Sequence, residues 1–296
     1  MRVARRITGR AAVAVVLAAI LGSIWAWSPA SAASPVLVGA GDIASCDGAG
    51  DSATAALIRA IPGTVFTAGD NAYPDGTAAQ FANCYGPTWG AFRDRTRPSA
   101  GNHDYHVAGA AGYFGYFGSR AGDPARGYYA YDLGTWRVYV LNSNCAFVGG
   151  CGVGSTQERW LRADLAANPH RCVLAYWHHP LFSSGPHGNQ TQVRAFWNDL
   201  YAARADIVIN GHDHIYERFL RQSPTGARSA AGIQEFVVGT GGDGHYAYGT
   251  IKRNSVVRNH TAFGVLKLTL GASSWSWRFI PIAGRTFTDH GTRTCH

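Results

Sequence analysis

Short apolar runs alternate with polar turns along most of this chain, and many of the runs have the length of a β-strand. The runs that end in a turn rich in Gly, Asp, Asn or His are residues 35–40, 65–68, 97–100, 172–177 and 207–209. Three intervening segments have the spacing of helices, namely 52–61, 157–167 and 190–203. The repeat of strand, polar turn and helix predicts a sheet covered by helices, with polar side chains at the strand ends.

Other segments have the pattern of antiparallel strands. Residues 128–133 and 137–142 are aromatic and β-branched runs around Gly134, which predicts a hairpin. Further strands are predicted at 236–238, 263–270 and 274–280. The predicted fold is therefore of the α+β class, an αββα sandwich of four layers in which two mixed β-sheets pack face to face with helices outside.

Two segments are rich in glycine. Residues 105–127 predict a long loop that is either functional or poorly ordered. Its aromatic side chains suit the mouth of a substrate site or the core equally well, and the sequence leaves this choice open. The run at 239–244 predicts a flexible loop that can line a cleft. No helix is evident behind it, so a phosphate-cradling role is not predicted there.

The first residues have the pattern of a secretory leader. Arginines at four of the first ten positions precede an apolar run over residues 11–27, and small residues follow at 30–32. This arrangement predicts a signal peptide over residues 1–32, cleaved from a secreted protein. The alternative is a membrane anchor, but the run is short for a bilayer span and contains Gly22 and Ser23. No membrane association is expected after cleavage.

Charge and composition indicate which classes of binding partner to expect. The formal net charge of +8 includes the four arginines of the leader, which leaves about +4 for the mature chain. Only two lysines occur and the basic residues do not cluster, so no nucleic acid is predicted as a stable partner. No linker or repeat divides residues 33–296, so we expect a single domain, and we expect a monomer.

The six cysteines of an exported chain favour disulfides over a zinc site. Six cysteines allow fifteen connectivities, and the sequence alone selects none of them. The pairing that we favour is Cys46 with Cys84, Cys145 with Cys151 and Cys172 with Cys295. Members of the first pair follow two of the polar turns, the second pair flanks a short glycine-containing loop, and the third pair is left by elimination. No C-x-x-C spacing supports redox catalysis.

The turn after the run at 64–68 carries the first candidate for chemistry. Asp70 and Tyr73 lie three residues apart just past a predicted strand, so both can reach one hard cation. Asp70 has a second oxygen for a neighbouring ion, which makes a bridged pair of metals possible if other ligands converge. The other polar candidates near predicted strand ends are Asp42, Asn102, His103, His178, His187, His212 and His214. Such a mixture of oxygen and nitrogen donors favours iron, zinc or manganese over magnesium or calcium.

Five short motifs follow one another along the chain, namely Gly41-Asp42, Gly69-Asp70-Asn71-Ala72-Tyr73, Gly101-Asn102-His103-Asp104, His178-His179-Pro180 and Gly211-His212-Asp213-His214. In this order they resemble the metal motifs of the calcineurin-like metallophosphoesterases. The tyrosine three residues after the aspartate is similar to the purple acid phosphatase branch, which includes tartrate-resistant acid phosphatases. The run from His212 to Arg218 adds to that similarity. The resemblance spans residues 36 to about 245.

By position, the resemblance implies a dinuclear metal site at the C-terminal ends of the strands. The first ion would take Asp42, Asp70, Tyr73 and His214, and the second would take Asp70, Asn102, His178 and His212. Tyr73 points to Fe(III) for the first ion, because a phenol with a pKa near 10 loses its proton only to a strong Lewis acid. The second ion is expected to be divalent iron, zinc or manganese.

Strand geometry adds two expectations. In an extended segment His212 and His214 would point the same way, and Asp213 between them would point away from the metals. The same alternation would allow only one of His178 and His179 to face the metals, and the His-x-Pro spacing of the resemblance selects His178. His179 is then expected to be a packing or outer-shell group.

The resemblance implies a secreted phosphatase that hydrolyses phosphomonoesters by in-line attack of metal-bound hydroxide. The first candidate for the acid is His103, with Asp104 as its orienting partner. His187 is the second candidate, because its spacing of nine residues after His178 is similar to that of an active-site histidine in small mammalian-type purple acid phosphatases. A solvated loop histidine is the alternative for His187.

The motifs leave the leaving group of the reaction open. A phosphodiesterase or nucleotidase could use the same metal site, and a protein that binds metal and phosphate without turnover is a third hypothesis. In each case the expected partner is a small phosphate ester.

Overall fold

The computed structural model describes residues 1–4, 9 and 33–296. By its internal contacts the chain divides into residues 1–33 and a unit of residues 34–296, and the fold given below is that of the second unit. The predicted signal peptide, residues 1–32, lies outside the described residues except for positions 1–4 and 9. Among the helices of the described part, none combines the length and the apolar character that a bilayer span requires.

The strands in chain order are β1 (Val36–Ala40), β2 (Thr64–Ala68), β3 (Thr96–Ser99), β4 (Tyr129–Leu133), β5 (Trp136–Val140), β6 (Cys172–Tyr176), β7 (Ile207–Asn210), β8 (Tyr216–Phe219), β9 (Gln234–Val238), β10 (Ser255–Asn259), β11 (Gly264–Leu270), β12 (Ser274–Pro281) and β13 (His290–Thr294). The α-helices are α1 (Gly50–Arg59), α2 (Ala78–Gln80), α3 (Ala111–Phe117), α4 (Thr156–Ala167) and α5 (Arg194–Ala202). A π-helical turn covers Phe81–Tyr85, and the 3₁₀ helices are Trp89–Arg95, His103–Tyr105, Ala108–Ala110, Gly118–Ala121 and Thr191–Val193.

These strands form two mixed sheets. The first has six strands in the order β13-β12-β11-β1-β2-β3, in which β1, β2 and β3 are parallel to one another. The second has seven strands in the order β10-β8-β9-β7-β6-β5-β4, in which β9, β7, β6 and β5 run parallel. The first sheet is therefore parallel at the end formed by β1, β2 and β3, and the second is parallel at its centre, so several carboxyl ends of strands lie along one edge of each sheet.

The two sheets pack face to face through alternate side chains. Along β6, Leu174 and Tyr176 belong to the core between the sheets, whereas Val173 and Ala175 face the helical side. The ring of Tyr176 lies 5.6 Å from that of Phe66 on β2, which shows direct contact across the interface. This alternation explains why β6 is a continuous apolar run, since both of its faces are buried.

Helices cover the outer faces of both sheets. Leu161 of α4 and Phe196 and Leu200 of α5 are fully buried against the outer side of the second sheet. Helix α4 begins where Ser155 accepts a hydrogen bond from the backbone N–H of Glu158, as its sequence favours. Ala55 and Ile58 of α1 pack into the core of the first sheet. The predicted four-layer αββα sandwich is therefore confirmed.

Residues 105–127 form helices rather than the predicted loop. Helix α3 and two 3₁₀ turns, Ala108–Ala110 and Gly118–Ala121, lie within this segment, and Tyr113, Phe114 and Phe117 are buried in the main core. Core packing is thus the correct alternative for these three aromatics. Their apolar area outweighs the helix penalty of the intervening glycines, which a pattern of single residues does not show.

Three strands were not predicted from the sequence, namely β8, β10 and β13. Each of them contains charged or polar side chains, and β10 and β13 lie at the outer edges of their sheets. An edge strand is paired on one side only, so it needs no continuous apolar run.

All three favoured disulfides are present in the structure. Cys172 lies at the start of β6 in the second sheet, and Cys295 follows β13 in the first sheet. This bridge therefore ties the C-terminal strand of one sheet to a central strand of the other. Cys46–Cys84 and Cys145–Cys151 close loops at the edge of the sheets where β1, β2 and β5 end.

A buried charged cluster joins the two sheets near β13. Asp289 accepts hydrogen bonds from Arg218 Nε at 2.6 Å and Tyr216 Oη at 2.7 Å on β8, and from Trp277 Nε1 at 3.1 Å on β12. Asp289 and Arg218 are only 7% and 12% exposed, respectively. Removal of either partner leaves the other charge buried without compensation.

We expect Asp289→Ala to lower the free energy of unfolding by about 3–5 kcal/mol, because the buried Arg218 loses its carboxylate partner. Denaturant unfolding followed by circular dichroism would measure the change. The matched control is Asp94→Ala, since Asp94 pairs with Arg120 at 2.9 Å but is 91% exposed. The control should unfold at the wild-type midpoint. Equal stability of the two variants would contradict the role assigned to Asp289.

Candidate metal centre

Every predicted metal ligand follows the C-terminal end of a strand. After β1 comes Asp42, after β2 come Asp70 and Tyr73, after β3 comes Asn102, after β6 comes His178, and after β7 come His212 and His214. These strands are parallel neighbours within their own sheets, so their ends meet along one edge of each sheet. The two edges also touch each other, because Gly41 N donates to Val238 O of the opposite sheet at 2.8 Å.

Three donor atoms converge around the hydroxyl of Tyr73, which is itself the fourth. This oxygen lies 3.0 Å from Asp42 Oδ1, 3.1 Å from Asp70 Oδ2 and 3.1 Å from His214 Nε2. His214 Nε2 is itself 3.4 Å from Asp42 Oδ1. We call these four residues the first donor set, and its composition is the one that the resemblance assigned to the first ion.

A second group converges around Nε2 of His178. That nitrogen lies 2.9 Å from Asn102 Oδ1, 3.2 Å from His212 Nδ1 and 3.2 Å from Asp70 Oδ2. We call these four residues the second donor set. His178 Nδ1 donates to the carbonyl oxygen of Ala68 at 2.9 Å. Because a carbonyl only accepts, the hydrogen of the neutral ring lies on Nδ1, and a cation would then take the place of a proton on Nε2.

The two donor sets share a single oxygen of Asp70. Oδ2 belongs to both sets, whereas Oδ1 accepts a hydrogen bond from the backbone N–H of His103 at 2.8 Å. The expectation that each oxygen of Asp70 would face a different ion is therefore wrong. The short turn after β3 brings the amide of His103 against Oδ1 and occupies it.

Three residues of the donor sets have a backbone conformation that residues with a Cβ rarely adopt. The φ angle is 61° at Asp42, 50° at Asp70 and 72° at His212. Such angles cost free energy in residues with a Cβ and are found where the surrounding structure holds them for function. His212 is thus not extended, so the alternation argument for His212 and His214 does not apply, although Asp213 does point away from both donor sets.

Two glycines make the close approach of the strand ends possible. A Cβ on Gly101 would overlap Asp70 Oδ1, and a Cβ on Gly211 would overlap Asp42 Oδ2. Each glycine directly precedes a residue of the second donor set in the sequence. A larger side chain at either position would displace a carboxylate that both sheets hold in place.

The chemistry of the donor sets fits metal ions. Asp42 and Asp70 are 0% and 2% exposed, and no lysine or arginine in residues 33–296 forms an ion pair with either of them. Burial raises the pKa of Asp70, but the charges of His178 and His103 outweigh it and lower that pKa. Burial lowers the pKa of His178, and Asp70 more than offsets this to raise it to about 9. Two buried carboxylates whose negative charges are balanced only by neighbouring histidines are suited to bind cations.

His103 lies beside the first donor set. Its ring packs 4.6 Å from the ring of Tyr73, and its Nε2 lies 3.9 Å from Asp70 Oδ2. Its Nδ1 contacts the carbonyl oxygen of Pro74, which can only accept a hydrogen bond. The side chain is 29% exposed, so a substrate can reach it.

Asp104 does not orient His103 as predicted. Its buried carboxylate instead accepts hydrogen bonds from the backbone N–H of Gly101 at 2.8 Å and from Asn71 Nδ2 at 2.9 Å. Burial and the negative charge of Asp70 raise the pKa of Asp104 to about 7. Asp104 therefore ties the turn after β3 to the turn after β2, because its side chain points into the protein while that of His103 points out.

His187 lies on the other side of the site. Its ring is 4.3 Å from the ring of His212, and its Nδ1 donates to Asp213 Oδ1 at 2.9 Å. The backbone N–H of His187 donates to the same oxygen at 3.1 Å, and Ser183 Oγ donates to the other oxygen. Asp213 is fully buried, so it holds His187 against the second donor set.

His179 and Tyr246 also contact the donor sets. The ring of His179 lies 4.4 Å from that of His212, although strand alternation placed it away from the metals. The reason is that β6 ends at Tyr176, so alternation does not extend to residues 178 and 179. Burial and the charge of His178 lower the pKa of His179 to about 3.

Tyr246 stacks on His214 with ring centroids 4.0 Å apart. The glycine-rich run at 239–244 leads into it, and the backbone N–H of Asp243 in this run donates to Asp42 O at 3.1 Å. The sequence pattern predicts that this run can line a cleft, but it does not predict the contact of Tyr246 with the first donor set. The only signal for it was its position two residues after the run.

Gly101→Ala is expected to weaken metal binding about ten- to hundredfold. The added Cβ would displace the carboxylate of Asp70, and one oxygen of that carboxylate belongs to both donor sets. Elemental analysis of the purified variant would measure the bound metal, and far-ultraviolet circular dichroism would check the fold. The control is Gly115→Ala, where an added Cβ meets nothing within 4 Å and the backbone φ is negative. Wild-type metal content in Gly101→Ala would contradict this geometry.

Comparison with known proteins agrees with the fold and the motifs. The sequence model of the calcineurin-like phosphoesterase family matches residues 37–216. Purple acid phosphatase 15 of Arabidopsis thaliana is 26% identical over 199 residues, which cover 55% of this chain and 37% of that protein. Purple acid phosphatase 22 of the same plant is 33% identical over 100 residues, 32% of this chain and 22% of that protein. The chain thus spans well under half the length of these relatives.

Solved structures share the fold. A purple acid phosphatase from yellow lupin (Lupinus luteus) seeds superposes with a TM-score of 0.68 at 19% identity, over 90% of this chain and 55% of that one. GAP50, the anchor in the inner membrane complex of Plasmodium, gives a TM-score of 0.67 at 12% identity, over 89% of each chain. Because the family model matches more than half of the sequence, the chain belongs to the calcineurin-like phosphoesterase family, and its relatives include purple acid phosphatases.

Proposed function

We propose that residues 33–296 form a single metallophosphoesterase domain that hydrolyses phosphomonoesters, in the manner of purple acid phosphatases. The observation that carries the proposal is the convergence of two donor sets on one oxygen of Asp70. An arrangement of this kind suits two cations that act on a single phosphorus. The family and the purple acid phosphatase relatives support the choice of a phosphate ester as substrate.

The first donor set would hold Fe(III), and the second would hold divalent iron, zinc or manganese. Tyr73 supports this choice for the first ion. Burial and the negative charges of Asp42 and Asp70 raise the pKa of Tyr73 well above its ordinary value, so only a strong Lewis acid would ionise it. When bound, the two ions would neutralise the charge of the ester and activate a water for attack on phosphorus in line with the leaving oxygen.

His103 would donate a proton to the leaving oxygen. The carbonyl of Pro74 fixes the ring hydrogen on Nδ1, so Nε2 is the nitrogen that gains and releases the catalytic proton. Nε2 is also the atom nearer to Asp70. Asp104 would hold the turn that carries His103 through its hydrogen bonds with Gly101 and Asn71, and would not take part in proton transfer itself.

His187 would contact the ester from the side of the second donor set. The carboxylate of Asp213 fixes one ring hydrogen on Nδ1, so in the protonated ring Nε2–H would donate to an oxygen of the ester. At 40% side-chain exposure, His187 is more open to solvent than His103, which is 29% exposed. We therefore assign binding of the ester to His187 and protonation of the leaving oxygen to His103.

Secretion is part of the proposal. All six cysteines are paired in the structure, and disulfides persist in oxidising compartments. The sequence pattern of a leader over residues 1–32 supports the same location.

The test is a panel of esters with wild type and His103→Ala. We expect wild type to hydrolyse alkyl and nitrophenyl phosphomonoesters faster than a diester or a nucleotide. His103→Ala should lower turnover of the alkyl ester about a hundredfold or more, because an alkoxide needs a proton to leave. Nitrophenolate leaves without one, so that substrate should lose far less. Steady-state kinetics with metal analysis of each sample would measure these effects.

His170→Ala is the matched control for this panel. His170 precedes β6, at the opposite end of that strand from His178, and pairs with Asp132, so its variant should keep wild-type rates on every ester. Preference of wild type for a diester or nucleotide would replace the monoester assignment. A metal-loaded wild type that hydrolyses nothing in the panel would refute the enzymatic proposal and favour a binding protein.

Tyr73→Phe is expected to abolish a visible charge-transfer absorption of the purified protein while leaving the fold intact, because the absorption needs a phenolate bound to Fe(III). Visible spectroscopy under oxidising conditions would measure it. Tyr246→Phe is the control, since Tyr246 stacks on His214 but its hydroxyl is in neither donor set. A wild-type protein that is colourless and free of iron by elemental analysis would reject Fe(III).

A further inference from the structure

His179 lies in the site without a role in the mechanism above. One ring nitrogen each from His178, His179 and His212 can be chosen such that all three atoms lie within 4.8 Å of one another. The rings of His179 and His187 flank that of His212, at 4.4 and 4.3 Å. Unlike His178, the side chain of His179 is partly exposed. It can therefore touch either a metal or a bound substrate, and its tautomer decides between them.

Ser143 fixes the tautomer of His179. Its Oγ accepts a hydrogen bond from the backbone N–H of His179 at 3.0 Å and lies 2.7 Å from Nδ1 of the same residue. Ser143 is only 2% exposed, and Nδ1 is the one acceptor within hydrogen-bond distance of its hydroxyl among residues 33–296. A buried hydroxyl hydrogen needs an acceptor. Oγ–H therefore donates to Nδ1, and the ring hydrogen of neutral His179 lies on Nε2.

The segment that carries Ser143 is held rigidly. Gln157, which is fully buried, accepts from the backbone N–H of Asn142 at 2.7 Å and donates to its carbonyl oxygen at 2.8 Å. The Asn142 side chain accepts from the backbone N–H of Asn144 at 3.0 Å. The disulfide Cys145–Cys151 closes the loop that follows. Ser143 thus meets His179 from a backbone that is already ordered.

We propose that His179 is a phosphate-binding residue whose Nε2–H, fixed by Ser143, donates to an oxygen of the phosphate group beside the second donor set. A nitrogen that carries a hydrogen has no lone pair in the ring plane for a cation, so His179 is not a metal ligand. Its Nε2–H matches the acceptor oxygens of a phosphate. This inference rests on the proposed function, because it assigns a further contact to the same substrate.

The test measures binding of inorganic phosphate to the metal-loaded protein by isothermal titration calorimetry, together with KM and kcat on a nitrophenyl ester. We expect His179→Ala to weaken phosphate binding about tenfold or more and to raise KM, because a hydrogen bond to a charged group is lost. His179→Gln should restore most of the affinity, since its amide N–H can occupy the place of Nε2–H. The metal content of both variants should equal that of wild type.

Ser143→Ala tests the cause of the tautomer. It should weaken phosphate binding on its own but have no further effect in the double variant with His179→Ala. Additive effects of the two substitutions would show that Ser143 acts through the loop instead, and would overturn the proposed role of Ser143.

Two results would overturn the role of His179 itself. Loss of one metal ion from His179→Ala would make it a ligand, and wild-type phosphate affinity in that variant would remove it from the site. If His179→Ala fails to fold, His179→Phe replaces it, because a phenyl ring keeps the volume but cannot donate, and wild-type phosphate affinity in that variant would likewise remove His179 from the site. A metal-loaded wild type that neither binds phosphate nor hydrolyses esters would instead overturn the proposed function.

Discussion

One carboxylate oxygen sets the geometry of the whole site. Asp70 Oδ2 is shared by both donor sets, so any movement of Asp70 changes both of them together. The surrounding structure fixes this residue from several directions. Its backbone is held at φ 50°, its other oxygen accepts from the amide of His103, and Gly101 leaves room for the side chain. These contacts hold a backbone angle that is otherwise costly for a residue with a Cβ.

The two-sheet fold supplies that rigidity at the scale of the domain. Three parallel strands of the first sheet and two of the second end at the same place, so ligands separated by more than a hundred residues become neighbours. Contacts between the two sheets must then keep the strand ends of one sheet next to those of the other. The Cys172–Cys295 bridge and the cluster around Asp289 do this outside the two donor sets, and the hydrogen bond from His178 to Ala68 O does it within the site.

The sequence predicted what depends on short spacing and on strand ends. Asp70 and Tyr73 are close in the chain and meet in the structure, and the layer order followed from runs such as β6. The sequence could not predict contacts that depend on backbone angles or on a hydrogen-bond acceptor that is distant in the chain. The partner of His103 is Pro74 and not the adjacent Asp104, because the two side chains leave the turn in opposite directions. Likewise, the pattern of apolar and polar residues does not reveal the positive φ angle of His212. The glycines of residues 105–127 predicted a loop, so the burial of the aromatic side chains in that segment was not predicted.

Three histidines around the donor sets differ in the acceptor or donor that meets Nδ1. A carbonyl meets His103 and a carboxylate meets His187, so both rings carry hydrogen on Nδ1 and can take up and release a proton at Nε2. A hydroxyl meets His179, and because its hydrogen points to Nδ1, Nε2 of this ring can only donate. Burial reinforces the difference, since it and the charge of His178 lower the pKa of His179 to about 3. In the proposed mechanism, the group that meets Nδ1 would therefore determine whether Nε2 transfers a proton, as in His103, or only donates to the anion, as in His179.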